Sequence, residues 1–304
     1  MRGVGIIIVT HNSADEIGVC LDSVVPSGAD ILVIDNASED SSRDEVSRRG
    51  VRLIANTVNT GFAAAVNQGV RALSAPVLLL LNPDAAVQTG LEALYNECGN
   101  PQTAAAGGML VDEQGRPQTG FMVRRFPTPA ALCLEALLFN RLWPHNPVNW
   151  QYRCLGLNYS VAQDIEQPAG AFLMFRRDVW EKLGGFDEGF YPLWFEDVDF
   201  LKRAKDAGYY IRFVPTAVAK HTGGHSIRKI SLEFRQFYWY RSLLKYSAKH
   251  FSPGAEKAVC LAVIAGSFLR TVLGLPCHRS LKPIAVYGKV VKLAGRQLIA
   301  GSAG

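Results

Sequence analysis

The chain has no G-x-G-x-x-G after its first apolar run and no G-x-x-x-x-G-K-[ST] anywhere in its 304 residues. The glycine loops that cradle a dinucleotide or a triphosphate at a helix N-terminus are missing, which sets both binding classes aside. Its six cysteines, at positions 20, 98, 133, 154, 260 and 277, include no C-x-x-C pair and no spacing that suits a metal. Neither a zinc site nor a disulfide framework follows, and the pattern fits reduced thiols in a cytosolic setting. Long apolar runs are scarce too. Ala258 to Leu269 gives 12 residues without a charge, against about 20 for a membrane span. Met1-Arg2-Gly3 leads directly into an apolar segment, so no signal peptide is expected. No recognised nucleic-acid-binding module is present, and nucleic acid is not an expected partner.

What the chain does have is 48% hydrophobic residues, enough for a sizeable core in one large domain or in a domain with an appendage. Its net charge of +5 is unevenly spread. Residues 226–304 hold 13 Lys and Arg against Glu233 and Glu256, a net of +11, while residues 1–225 hold 19 basic and 25 acidic groups, a net of −6. The expected organisation is an acidic body, 1–225, and a basic helical extension, 226–304.

The body alternates apolar runs with helical patterns. Val4 to Val9, Ile31 to Ile34, Val51 to Ala55 and Val77 to Leu81 read as strands. Helices are predicted over Ala14 to Val25, with Ile17, Leu21 and Val24 on one face, and over Ala63 to Leu73. This alternation implies an α/β fold with a Rossmann-like, mostly parallel sheet flanked by helices. Each strand runs into polar residues: Thr10-His11-Asn12, Asp35-Asn36, Asn56 to Asn59, and Asn82-Pro83-Asp84. In such a topology these groups share the carboxyl edge of the sheet, where ligands bind. Carboxylate and amide side chains suit a base and a ribose, and a metal with backbone N–H groups suits the phosphates.

Asn82-Pro83-Asp84 admits two readings. It turns the chain and caps a following helix, or Asp84 ligates a hard cation such as Mg²⁺ or Mn²⁺ that takes its other ligands from phosphate and water. Residues 119–163 are rich in Pro, Arg and aromatics, including Phe121, Arg124 and Arg125, and read as irregular with one helix near Ala130 to Leu142. A strand at Ala169 to Phe175 and a helix at Arg177 to Leu183 follow. Glu196, Asp197 and Asp199 then open a helix that runs to Lys205. Capping accounts for one or two of these carboxylates, and a general base also belongs at such a rim. His221 ends the second of two short strands, Tyr210 to Val214 and Ala217 to Lys220, as a structural histidine or as a metal or phosphate contact.

Taken together, Ile8-Val9-Thr10-His11-Asn12, Val33-Ile34-Asp35-Asn36-Ala37-Ser38 with Asp40, Asn59-Thr60-Gly61-Phe62-Ala63 with Asn67, Leu80-Leu81-Asn82-Pro83-Asp84, Gly170-Ala171-Phe172, Gly184 to Glu188, Phe195 to Asp199, and His221 resemble the inverting glycosyltransferases of family 2. The likeness is to their rhamnosyltransferase-like members and covers residues 3–250. It implies a GT-A fold and a nucleotide-sugar donor, with dTDP-rhamnose the leading candidate. Thr10, Asn12, Asp35 and Asn36 would hold the base and ribose, and Asn59, Gly61, Phe62, Asn67 and Asn82 would line the same pocket. Asp84 would be the surviving carboxylate of the D-x-D motif, Asn82 standing where its first Asp is common. His221 would add a metal or diphosphate contact, and Asp197 would be the general base. Trp194, Glu196 and Asp199 would meet the acceptor or its sugar. The implied cofactor is Mg²⁺ or Mn²⁺.

In the extension, Ser231 to Phe251 reads as a long helix. The last helix, Ile284 to Ile299, sets Ile284, Tyr287, Val291, Ala294 and Leu298 opposite Lys282, Lys289, Lys292 and Arg296. That pattern fits either packing or an anionic lipid surface. The expectation is a cytoplasmic enzyme, peripheral on the inner face of the membrane, acting on a lipid-linked or polysaccharide acceptor. A sugar nucleotidyltransferase should carry a glycine-rich, basic phosphate loop, which Thr10-His11-Asn12-Ser13 is not. A non-catalytic nucleotide-sugar-binding module is the other alternative.

Overall fold

Five consecutive apolar residues need cover on both faces, and all five residues of Val77–Leu81 are buried. The structure is a computed structural model that describes residues 1–223, 231–278 and 281–300. In chain order it begins with β1 (Val4–Thr10), α1 (Ile17–Val24), β2 (Asp30–Asn36), α2 (Ser42–Arg48), β3 (Arg52–Asn56), α3 (Phe62–Ala72) and β4 (Val77–Leu81). β5 (Ala85–Thr89), α4 (Leu91–Cys98), β6 (Thr103–Val111) and β7 (Val123–Arg124) follow, then α5 (Pro129–Ala136), α6 (Phe139–Leu142) and α7 (Pro147–Tyr152). Next come β8 (Gln163–Asp164), β9 (Gln167–Pro168), β10 (Phe172–Arg176), α8 (Arg177–Lys182), α9 (Glu196–Asp206) and β11 (Tyr210–His221). The last helices are α10 (Leu232–His250), α11 (Pro253–His278) and α12 (Lys282–Ala300).

The chain forms two compact units. One comprises Met1–Phe126, Arg153–Pro192 and Glu196–Arg228, and the other Pro127–Tyr152, Leu193–Phe195 and Lys229–Gly304. The second unit therefore draws in two stretches from the middle of the chain, which a single cut at 225/226 does not anticipate.

In the first unit the sheet order is β3-β2-β1-β4-β10-β6-β11-β5, with β8 beside β11. β1 pairs parallel with β2 and β4, β2 with β3, and β6 with β11. β10 is antiparallel to both β4 and β6, so β6 and β11 run in the same direction as β1 to β4. Six strands thus deliver their carboxyl ends to one edge. The expected apolar face of α1, Ile17, Leu21 and Val24, is fully buried, as are Val66 and Val70 of α3.

Three local expectations change. Asp84 caps no helix: the residues after it form β5, which pairs with β11 at the sheet's end. The two short strands near 210–220 are one, β11, whose register slips between Val214 and Val218. Pro215 cannot donate to the ladder there, so the chain bulges and resumes. α2 carries little apolar periodicity and was not foreseen.

In the second unit α10, α11, α12 and α5 pack together around buried Tyr240, Leu243, Leu244, Tyr246, Val259, Val263, Val286, Val290 and Ala294. The Arg270 guanidinium donates to the carbonyls of Glu135 and Ala136 and lies over the Tyr240 ring. The middle segment is thereby tied to α11. The apolar seam of α12 is rotated from its expected place: Pro283, Val286, Val290 and Ala294 are buried, whereas Ile284 is exposed. α11, at 26 residues, extends well beyond the uncharged run seen in sequence.

Candidate active site

The shared sheet edge collects Thr10, Asn36, Asp84, Gly170 and His221 because β1, β2, β4 and β11 end there and β10 begins there. Asn82 N–H donates to the Ala171 carbonyl, and Gly170 N–H donates to Asp197 Oδ2 at 3.0 Å. Thr222 N–H donates to the Asp84 carbonyl. A short run of backbone contacts thus joins Asp84 at one end to Asp197 at the other.

Asp84 Oδ1 lies 3.5 Å from His221 Nε2. The Gln118 amide donates through Nε2 to the His221 carbonyl, so its Oε1 accepts from His221 Nδ1–H at 2.9 Å. With the proton on Nδ1, Nε2 presents a bare lone pair to a carboxylate oxygen. Burial pushes the imidazole below the usual histidine range, opposed by the Asp84 charge. Two acceptors facing each other with no proton between them suit a cation, and a ring nitrogen held from its far side is the usual arrangement for a ligand. Among the described residues no group of three or more His, Cys, Asp or Glu gathers to hold a metal. The chain therefore offers two donors, which fits a hard divalent ion completed by phosphate oxygens and water. Phe121 stacks on the His221 ring at 5.2 Å, and the Arg124 guanidinium lies 5.8 Å from the Phe121 centroid.

Asp197 opens α9. Its Oδ1 accepts from Val198 N–H and its Oδ2 from Gly170 N–H. A Cβ at Gly170 would come within 2.8 Å of Oδ2, so only glycine admits this contact. Burial raises the Asp197 pKa above the usual aspartate range, against the pull of the two N–H donors and the Arg124 charge. The neighbouring Glu196 is buried, its Oε2 lacks a partner, and burial followed by the Asp197 charge raises its pKa well above the usual value. A carboxyl group that holds its proton in the folded state binds more protons folded than unfolded in the window above the ordinary glutamate pKa, so stability falls there as pH rises. Glu196→Gln should therefore gain of order 1 kcal/mol over wild type at alkaline pH and nothing at acid pH. Paired thermal melts across that range check it.

At the opposite end of the edge, Asp35 is buried. Its Oδ1 accepts from Arg43 Nε at 2.6 Å and from Ser38 N–H, while Oδ2 has no partner. Thr10 Oγ1 is likewise buried without a partner. Such atoms cost stability until something bonds to them, and a base or ribose supplies suitable groups. Asn12 N–H donates to Ser38 Oγ and Asn12 Oδ1 accepts from Glu39 N–H, which joins the loops that follow β1 and β2. Asn59 Oδ1 accepts from Gly61 N–H, Gly61 takes a φ of 87° against Tyr191, and Phe62 N–H donates to the Pro192 carbonyl.

Three expected ligand contacts are structural instead. Asn36 spends its amide on the Gly61 carbonyl, Asn56, and Thr60. Asn67 is saturated by Trp180, Glu188 and both backbone groups of Phe186. Asp199 is wholly buried on Arg203, which also donates to the carbonyls of Leu183 and Gly185. The last two hold the Gly184-to-Glu188 turn from two sides, which is why that motif reads so clearly in sequence. Trp194 belongs to the second unit, with a φ of 76°. Sequence reasoning missed Arg43 and Gln118: α2 was not foreseen, and a lone Gln in an irregular stretch carries no spacing signal.

The strand order and helix placement define a GT-A glycosyltransferase fold. Residues 5–184 match the family described as Glycosyl transferase family 2, and residues 154–225 match the N-terminal domain of galactosyltransferase. This chain belongs to glycosyl transferase family 2, and it is a glycosyltransferase. It is 27% identical over 250 residues to the N-acetylglucosaminyl-diphospho-decaprenol L-rhamnosyltransferase of Mycobacterium tuberculosis, covering 72% of this chain and 79% of the relative. It is 23% identical over 264 residues to the rhamnosyltransferase WbbL of Escherichia coli, covering 80% and 92%. Among solved structures it resembles the mannosyltransferase PcManGT from Pyrobaculum calidifontis in complex with GDP-Man and Mn²⁺, with a TM-score of 0.55, 16% identity and coverage of 98% and 87%. It also resembles S. aureus TarS residues 1–349, with a TM-score of 0.52, 14% identity and coverage of 97% and 92%.

Proposed function

We propose that the protein is an inverting, cation-assisted transferase that moves rhamnose from dTDP-rhamnose to a hydroxyl of a lipid-linked or polysaccharide acceptor, at the cytoplasmic face of a membrane. The observation that carries the reading is the linkage of Asp197, Gly170, Ala171 and Asn82, which ties the Asp197 carboxylate to the same sheet edge as the Asp84–His221 pair. The names of the relatives favour rhamnose and a lipid-linked acceptor.

Asp35 and Thr10 hold the nucleoside through their unpartnered oxygens. Asp84 and His221 Nε2 would hold a Mg²⁺ or Mn²⁺ ion, and Gln118 keeps His221 in the tautomer that could. When bound, that ion neutralises charge on the departing diphosphate. Asp197 takes the proton of the acceptor hydroxyl as the oxygen attacks the anomeric carbon from the face opposite the leaving group. Arg124, close enough to influence Asp197 electrostatically, adds positive charge beside the reacting centre.

Purified protein offered a panel of nucleotide sugars with Mn²⁺ should be stabilised by dTDP-rhamnose and should hydrolyse or transfer it, giving the opposite anomer by NMR. Turnover of a different donor alone would remove rhamnose from the reading, and a product that keeps the donor's anomeric configuration would remove inversion.

A further inference from the structure

We infer that the second unit docks on an anionic bilayer through an exposed apolar stripe on α11, together with the exposed apolar side chains of the α6 turn, and not through the apolar seam of α12. Leu261, Phe268, Leu269, Val272 and Leu273 are each between 46% and 68% exposed. Their spacing sets them on one face of α11, and exposed Ala265 lies on the same face. The other face is spent on the protein: Val259, Cys260, Ala262, Val263 and Ser267 are buried. A stripe of this size on a soluble helix marks an interaction surface.

A second segment of the same unit, more than a hundred residues away in sequence, also exposes large apolar side chains. The Arg270 bonds to Glu135 and Ala136 place the C-terminal end of α5 beside α11, and α6 begins three residues further along the chain. There Leu142 is 83% exposed, Trp143 52% and Phe139 38%, with Trp150 exposed on α7. Tryptophan beside aliphatic side chains is the composition of the membrane–water interface, where the ring lies at headgroup level.

Charge selects the lipid. α12 turns Lys282, Lys289, Lys292 and Arg296 to solvent, and the sequence from 226 onward carries a net of +11. An apolar stripe within so basic a segment fits phosphatidylglycerol or another anionic headgroup, since buried apolar area and electrostatic attraction add. α11 is long and apolar enough to cross a membrane, but the buried third of that window is committed to the unit's own core. An interfacial position keeps those contacts, whereas spanning would strip them.

This inference rests on the membrane location and lipid-linked acceptor of the proposed function, and its test uses neither donor nor acceptor. Full-length protein is floated with phosphatidylcholine vesicles and with vesicles containing phosphatidylglycerol, beside Phe268→Glu/Val272→Glu and the control Val19→Glu, exposed on the first unit. The wild type and the control should float with the anionic vesicles and come off in high salt. The double variant should lose about tenfold in partitioning with its melting temperature unchanged. Trp143→Phe should shrink the blue shift of intrinsic fluorescence on vesicle addition and supports the stripe independently of that variant's folding. Equal flotation of the double variant, wild-type resistance to salt and alkaline wash, or a dimer dissolved by the double variant would each overturn the inference, the last two in favour of a span or a second copy.

Discussion

Asp197→Asn is expected to lower kcat by about 10²- to 10⁴-fold, the usual weight of a positioned general base. Donor affinity should stay within about twofold, because the loss falls on a proton transfer and not on ground-state binding. The other carboxylates near the edge have different commitments. Asp35 is paired with Arg43, Asp199 with Arg203, Asp84 faces His221, and Glu196 is buried with its Oε2 unpartnered. Asp197 holds two backbone N–H groups and, as a carboxylate with about four acceptor sites, keeps capacity for a proton. The asparagine oxygen can retain one of the N–H bonds. The other N–H then faces an amide NH₂, a cost that removing the buried charge offsets in part, so the melting curve of the variant is read beside its kinetics.

The same direction of shift fixes the pH profile. A base works only when deprotonated, and a pKa raised above the ordinary aspartate value moves the acid limb of kcat/KM to higher pH. Wild-type kcat/KM should fall on acidification before an unperturbed aspartate would protonate. The residual activity of Asp197→Asn should lack that limb. A variant that keeps the limb would assign it to another group.

Strand positions were legible because burial on both faces writes continuous apolar runs, as in Ile6-Ile7-Ile8 and Val77 to Leu81. The polar residues at their ends were legible for the complementary reason: a parallel strand must stop somewhere, and at a ligand edge it stops in groups that bond. Direction was less visible. Nothing in Phe172 to Arg176 announces that β10 runs against its neighbours, yet that reversal brings Gly170 to the edge and gives Asp197 its donor. Residue identity also misled where a motif serves the fold. Asn67 and Asp199 look like ligand residues by type and company, but Asn67 bonds the Gly184-to-Glu188 turn and Asp199 pairs with Arg203, which donates to that turn. For α12, the expected and observed apolar seams differ by a small rotation that sequence periodicity does not resolve over 19 residues. The exposed stripe on α11 was hidden for another reason: an uncharged run looks the same whether its sides are covered or bare.

The second large effect is expected at the cation pair. Addition of Mn²⁺ with a nucleoside diphosphate should raise the melting temperature of the wild type, worth about 2.7 kcal/mol at a hundredfold excess over Kd. His221→Ala and Asp84→Ala should each abolish the Mn²⁺-dependent part of that shift and lower kcat by two orders of magnitude or about 3 kcal/mol. Chelation of the wild type should have the same kinetic effect. Gln118→Leu decides whether His221 acts as a ligand through Nε2. It removes the acceptor for Nδ1–H, so the ring no longer holds one tautomer and Mn²⁺ affinity should fall about 10- to 100-fold. If instead Asp84 and His221 formed only a salt bridge, the imidazole would have to be charged, against the effect of its burial. In that case Gln118→Leu would leave Mn²⁺ binding untouched, and His221→Ala would destabilise the apoprotein without altering its response to the metal. Calorimetric titration of Mn²⁺ into the three variants, each beside its own melting curve, separates these outcomes.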